Sequence, residues 1–159
     1  MRAPMQAPTR WIAIALALGA ALALAFSVQG GQWWSIGDEV TIGPLGTVQC
    51  FGGECRQAGH AWLQPSGLWS RSAIATGAGA MIAVLALVLV AGTLAARRVP
   101  RLLAKMTLVA LGTAVVASVT FVSRLPAMAG VRVDRGLYLF AVGIVLGAAA
   151  AITVLRARA

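Results

Sequence analysis

Four stretches of this chain, residues 11–28, 72–96, 106–123 and 136–155, contain no charged side chain. Each is close to the ~20 residues that, rising about 1.5 Å apiece in a helix, cross roughly 30 Å of hydrocarbon. The first and third are slightly short; Trp11 can anchor the first at the headgroups, and Lys105 can lengthen the third by reaching outward along its stem. At 60% hydrophobic and 11% charged residues, the chain departs from the rough half and quarter usual in soluble domains. Backbone amides have no water partner inside lipid, so helices are the expected solution, and the alternation of a barrel strand is absent. The expected fold is an all-α membrane protein: one four-helix transmembrane domain over residues 1–159, with a small extracytoplasmic sheet in its first loop.

A net charge of +9 could suggest nucleic acid, but the basic residues are scattered among the flanks of the apolar runs and form no dense patch. They read as topology signals instead. With four crossings, the amino terminus, the middle connection and the carboxyl terminus share one side. That side holds Arg2, Arg10, Arg97, Arg98, Arg101, Lys105, Arg156 and Arg158, against Arg56, Arg71, Arg124, Arg132 and Arg135 on the other: 8 against 5 of the 13. Both termini are therefore expected in the cytoplasm. Trp33, Trp34, Trp62, Trp69 and Tyr138 lie at the margins of the runs, where amphipathic rings favour the headgroup layer. A second reading makes the first run a cleaved signal peptide with Ala23-Leu24-Ala25 as its small-residue site; an intact mass separates the two.

Between the runs, Arg97-Arg98-Val99-Pro100-Arg101 reads as a tight basic turn, with Pro100 starting the next helix. The third loop, residues 124–135, is similarly brief and holds Pro126 and Gly130. Residues 29–71 are the one segment long enough to fold outside lipid. Glu39-Val40-Thr41-Ile42 and Thr47-Val48-Gln49-Cys50 are strand candidates, joined by a Gly43-Pro44-Leu45-Gly46 turn and followed by a Phe51-Gly52-Gly53-Glu54 turn.

Cys50 and Cys55, the only cysteines, flank that last turn, which sets them opposite each other on a hairpin where a disulfide can form. In an oxidising compartment pairing is the default. Closing so small a ring is worth on the order of 2 kcal/mol, enough to pin a hairpin locally. Two other chemistries remain open for the pair. One is thiol–disulfide exchange linked to quinone, although Cys-x-x-Cys spacing and a second cysteine pair are both missing. The other is a metal site recruiting His60 and Glu54, for which the spacing is poor.

The runs carry no ionisable group of the sort that transporters and pumps place at membrane depth. The third carries Thr107, Thr113, Ser118, Thr120 and Ser123, and the fourth has Gly143 and Gly147 in Gly-x-x-x-Gly spacing. Such residues pack helices within a bundle, or dock one subunit on another. Asp38, Glu39, Glu54 and Asp134 are the only acids, and no triad, phosphate loop or paired-carboxylate motif is present. No cofactor and no metal is implied.

Four spans, inside termini, a long first outer loop with sheet character and a short second one together resemble the claudin and peripheral-myelin-protein superfamily. The landmarks follow in the same order: Trp33 or Trp34 after the first span, then Cys50 and Cys55, then Arg71 at the start of the second. The family's Gly-Leu-Trp before its first cysteine is missing; Gly67-Leu68-Trp69 follows both cysteines. The resemblance implies a disulfide within the loop sheet and an adhesive, barrier or auxiliary-subunit role without catalysis. Abundant Ala, Arg and Gly with a single Lys suggest a GC-rich bacterial gene. The expectation is a non-enzymatic protein of the bacterial inner membrane that binds other membrane or periplasmic proteins, or its own copies, through Trp33, Trp34, Arg71 and the helix faces. The alternative is a quinone-linked oxidoreductase working through Cys50 and Cys55.

Overall fold

The computed structural model describes residues 6–29, 32–63, 66–125 and 129–157; Arg2, Arg158 and Pro126 lie outside them. Four helices follow the four apolar runs: α1 (Ala7–Gln29), α2 (Gly67–Ala95), α3 (Arg101–Ser123) and α4 (Arg135–Arg156). All four are long and apolar enough to cross a membrane. The first and third apolar runs were too short because the helices extend through charged residues: α1 takes in Arg10, and α3 begins at Arg101 and takes in Lys105. Likewise α2 starts at Gly67, capped by the Ser66 hydroxyl, so the segment outside the helices ends earlier than residue 71.

Each helix packs on two neighbours, α1 on α4 and α2, and α3 on α2 and α4. Much of the filling between them is alanine: Ala17, Ala20, Ala80, Ala83, Ala114 and Ala150 are all fully buried. Leu24, Leu87, Leu94 and Val154 are buried among them, while other large residues point outward, as at Phe26, Leu85 and Val145, each more than half exposed. Buried hydroxyls are satisfied within their own helices; Thr76 donates to the Ser72 carbonyl and Thr107 to that of Leu103, both at 2.8 Å.

The turn between α2 and α3 closes as a Schellman motif, with the Arg98 amide on the Thr93 carbonyl at 2.9 Å and the Arg97 amide on that of Leu94 at 3.0 Å. Arg97 occupies the left-handed position, φ 59°, usually given to glycine. Pro100 then precedes α3, as the sequence predicts, and the Arg101 guanidinium donates to the Ala157 carbonyl at 2.9 Å, tying the start of α3 to the end of α4.

At the opposite end lies one antiparallel sheet of five strands, ordered β4-β3-β2-β1-β5. Its members are β1 (Trp34–Ile36), β2 (Val40–Gly43), β3 (Gly46–Phe51), β4 (Glu54–Ala58) and β5 (Val131–Val133). The two predicted strands are present, the first displaced by one residue and the second extended by one at each end. Three are additional, and β5 comes from the third loop: Trp34 pairs with Val133 and Ile36 with Val131, on the other side of β1 from β2. The sheet therefore belongs to both connections at this end.

Candidate interaction surface

Strand alternation sorts the sheet into two faces. Trp34, Val40, Ile42, Thr47 and Gln49 are buried toward the helices. Ser35, Thr41, Val48, Gln57 and Arg132 occupy the intervening positions and share the outward face by register. The Cys50–Cys55 pair belongs to this outward set, adjacent in the ladder to Gln49 and Arg56.

The two cysteines form a disulfide, with Cα atoms 4.0 Å apart. The hairpin imposes their meeting. Gly52 and Gly53 both hold positive φ, 60° and 88°, as a two-residue type I′ loop requires. Phe51 and Glu54 close that loop, making Cys50 and Cys55 the next pair along. The Cys50 amide points away, to the Glu39 carbonyl at 2.7 Å, so the two face each other as a non-hydrogen-bonded pair, the closer of the two kinds. Among the described residues no three His, Cys, Asp or Glu side chains gather as metal ligands. His60 instead donates through Nε2 to the Gly43 carbonyl at 2.8 Å, its ring edge-on to Trp69.

Aromatic side chains join the sheet to the helices. The Trp33 ring lies 4.8 Å from Phe140 and 5.7 Å from Phe121, Trp34 lies 5.0 Å from Phe121, and Trp69 lies 4.8 Å from Phe121. Two of the indole N–H groups find carbonyls: Trp33 donates to that of Ser27 and Trp69 to that of Phe121, each at 2.9 Å. Trp33, Trp34 and Trp69 are thus core residues, correcting their expected place among headgroups and, for Trp33 and Trp34, on a contact surface. A tryptophan beside an apolar run suits a dry seam as well as a headgroup layer, provided its N–H finds a carbonyl. Trp62 and Tyr138 are exposed, and Trp62 donates to the Thr47 hydroxyl at 2.9 Å.

The seam is completed where α4 meets the start of the sheet. The Gly136 amide donates to the Gln32 carbonyl at 2.7 Å and the Asp134 amide to that of Trp33 at 2.9 Å. A Cβ at Gly136 would lie 2.5 Å from the Gln32 oxygen, so no side chain fits. Gly143 and Gly147 also face inward. A Cβ at the first would lie 2.7 Å from Leu24 of α1, and at the second 3.1 Å from Leu111 of α3. They pack this chain's own helices, and the helix faces open to a partner are the bulky ones.

Arg71 is exposed on α2, beside Leu68 and Thr120 in a shallow groove against α3, and is not gathered with Trp33, Trp34 or the disulfide. What the outside can contact is therefore the outward face of the sheet, the edge strand β4, whose residues 54–57 are all exposed, and a cleft of about 550 Å³ between β3, β4 and the end of α1, lined by Val28, Gln29, Leu45, Thr47 and Gln57. Phe121 and Phe140, the centre of the seam, carry no sequence signal beyond their place in apolar runs. No protein-family model matches the chain, and no curated protein matches it in sequence.

Proposed function

We propose that this is a multi-pass protein of a bacterial inner membrane, with both termini cytoplasmic, and that its outer sheet is a non-catalytic contact surface for other membrane or periplasmic proteins. The observation that carries the reading is the apolar surface of the bundle. Large apolar side chains stand exposed on all four helices, among them Leu22, Phe26, Ile82, Leu85, Val109, Val116, Val142 and Val145, an arrangement favourable in lipid and unfavourable in water. Orientation draws support from charge: all four acids lie at the sheet end, while the opposite end has only basic residues among its charged side chains. Retention of α1 is supported by its place in the core, because the candidate cleavage site contains Leu24, which packs on Gly143.

A contact role draws support from a sheet held firmly to the bundle while its outward face and β4 edge stay open. Edge strands present unpaired backbone groups that a partner can engage. The disulfide lies on the face turned away from the helices, far from where a membrane quinone would approach, which favours a structural bond over electron relay. The likeness to the claudin and peripheral-myelin-protein superfamily is proposed as one of landmark order: a tryptophan after α1, a disulfide inside the loop sheet, an arginine at the start of α2.

A photo-reactive residue placed at Gln57 on β4 tests the contact role in intact cells. A discrete cross-link to one protein from Gln57, with only lipid adducts from Val145 on α4, is the expected result. A monomer in mild detergent with no protein cross-link from Gln57 would contradict it. Replacing both cysteines by serine separates the chemistries: a contact role predicts a weakened hairpin with partial association, electron relay a complete loss of redox function.

A further inference from the structure

At the end of the bundle opposite the sheet, the described cations are Arg10, Arg97, Arg98, Arg101, Lys105 and Arg156, with no acid near them in the chain. One of these, Lys105, lines a groove of about 560 Å³ between α2 and α3. The rest of the lining is almost wholly apolar, including Ile82, Leu85, Leu89, Met106 and Val109. On α2 the groove runs from Gly79 to Leu89, which at about 1.5 Å per residue is roughly 15 Å. That matches the hydrocarbon depth of one leaflet, half of the ~30 Å core. Its far end is where Gly79 meets Ala114, so closely that a Cβ there would lie 3.2 Å from the alanine methyl.

We propose that the α2/α3 groove seats one anionic phospholipid of the inner leaflet. Its acyl chain lies along Ile82, Leu85, Leu89 and Val109, and its phosphate meets the Lys105 ammonium within the field of Arg97 and Arg98 on the adjoining turn. The assignment rests on the bundle lying in lipid, as argued above. A second copy of the chain suits the groove less well. Pairing across it would put two Lys105 side chains into one apolar contact, and the small-residue glycine pair through which helices associate is already turned inward.

The test uses the full chain, reconstituted into bilayers of equal parts phosphatidylcholine and phosphatidylglycerol and then extracted into mild detergent, with the retained lipids measured by mass spectrometry. Phosphatidylglycerol should be retained in clear excess. Lys105→Gln, at an exposed position, should cut that excess about fivefold, the effect of one basic residue at an anionic surface. Ala86→Trp should remove it by filling the groove with the cations intact, while Arg124→Gln at the sheet end should leave it unchanged. Equal retention of the two lipids, an excess surviving both Lys105→Gln and Ala86→Trp, or disulfide-linked dimers through Val109→Cys would each overturn the assignment. Loss of the protein from the bilayer on alkaline washing would overturn the membrane reading together with this one, whereas a protein that stays embedded but shows no excess overturns this one alone.

Discussion

In the helical bundle large apolar side chains stand outside as well as inside, while the sheet turns most of its own toward the helices. Leu85 and Val145 are open at the bundle surface around a filling in which alanine lies beside Leu24, Leu87 and Phe121; Trp34 and Ile42 are buried beneath the sheet, with Ser35, Thr41 and Arg132 among the residues above it. On the proposed membrane reading, each half follows its solvent. Lipid leaves exposed leucine without penalty, so helices gain by approaching closely over small residues. Water drives aromatic and branched side chains under the sheet. The two rules meet at Trp33, Phe121 and Phe140, which makes this seam the place where the account is easiest to break.

The largest effect is expected there. Trp33→Ala should destabilise the protein by about 4 kcal/mol, from a cavity among aromatic rings and a lost hydrogen bond to Ser27. Thermal unfolding in detergent would register the loss, and Trp33→Phe should recover most of it. Next comes Gly136→Ala, whose methyl has no room against the Gln32 carbonyl; a loss of roughly 2 kcal/mol is expected. In that variant amide exchange should quicken in β1 and β5 before it does in α1. A change confined to α4 would show that the seam does not couple the two halves.

Removing the disulfide should sharpen the contrast. Cys50→Ser with Cys55→Ser should cost about 2 kcal/mol of hairpin stability, visible as faster exchange in β3 and β4 while the helices keep their protection. Arg97→Gly should be the smallest change and of opposite sign, a gain of roughly 1 kcal/mol from relieving a left-handed non-glycine residue at the far end of the bundle. The melting temperature should rise with no change in the sheet.

Much of this was legible in the residues. The uncharged runs marked the helices because lipid-crossing length is a local property, and Gly43-Pro44-Leu45-Gly46 with Phe51-Gly52-Gly53-Glu54 marked the hairpins because turn chemistry is local too. Strand β5 was not legible: Val131-Arg132-Val133 is three residues long, and what makes it a strand is pairing with Trp34 and Ile36 almost a hundred positions away. The tryptophans misled for a related reason. Their preference for an apolar body and a polar tip is met equally by a headgroup layer and by a buried seam with carbonyls to accept, and only the packing of Phe121 and Phe140 decides between them.

Thiol accessibility in spheroplasts tests most directly whether the helical bundle lies in lipid with the sheet outside. After mild reduction, a maleimide that cannot cross the membrane should modify Cys50 and Cys55 without lysis, whereas a cysteine placed at Arg98 in a chain lacking those two should react only once the membrane is opened. Modification of Cys50 and Cys55 only after lysis, or equal labelling of both ends in sealed spheroplasts, would contradict the account.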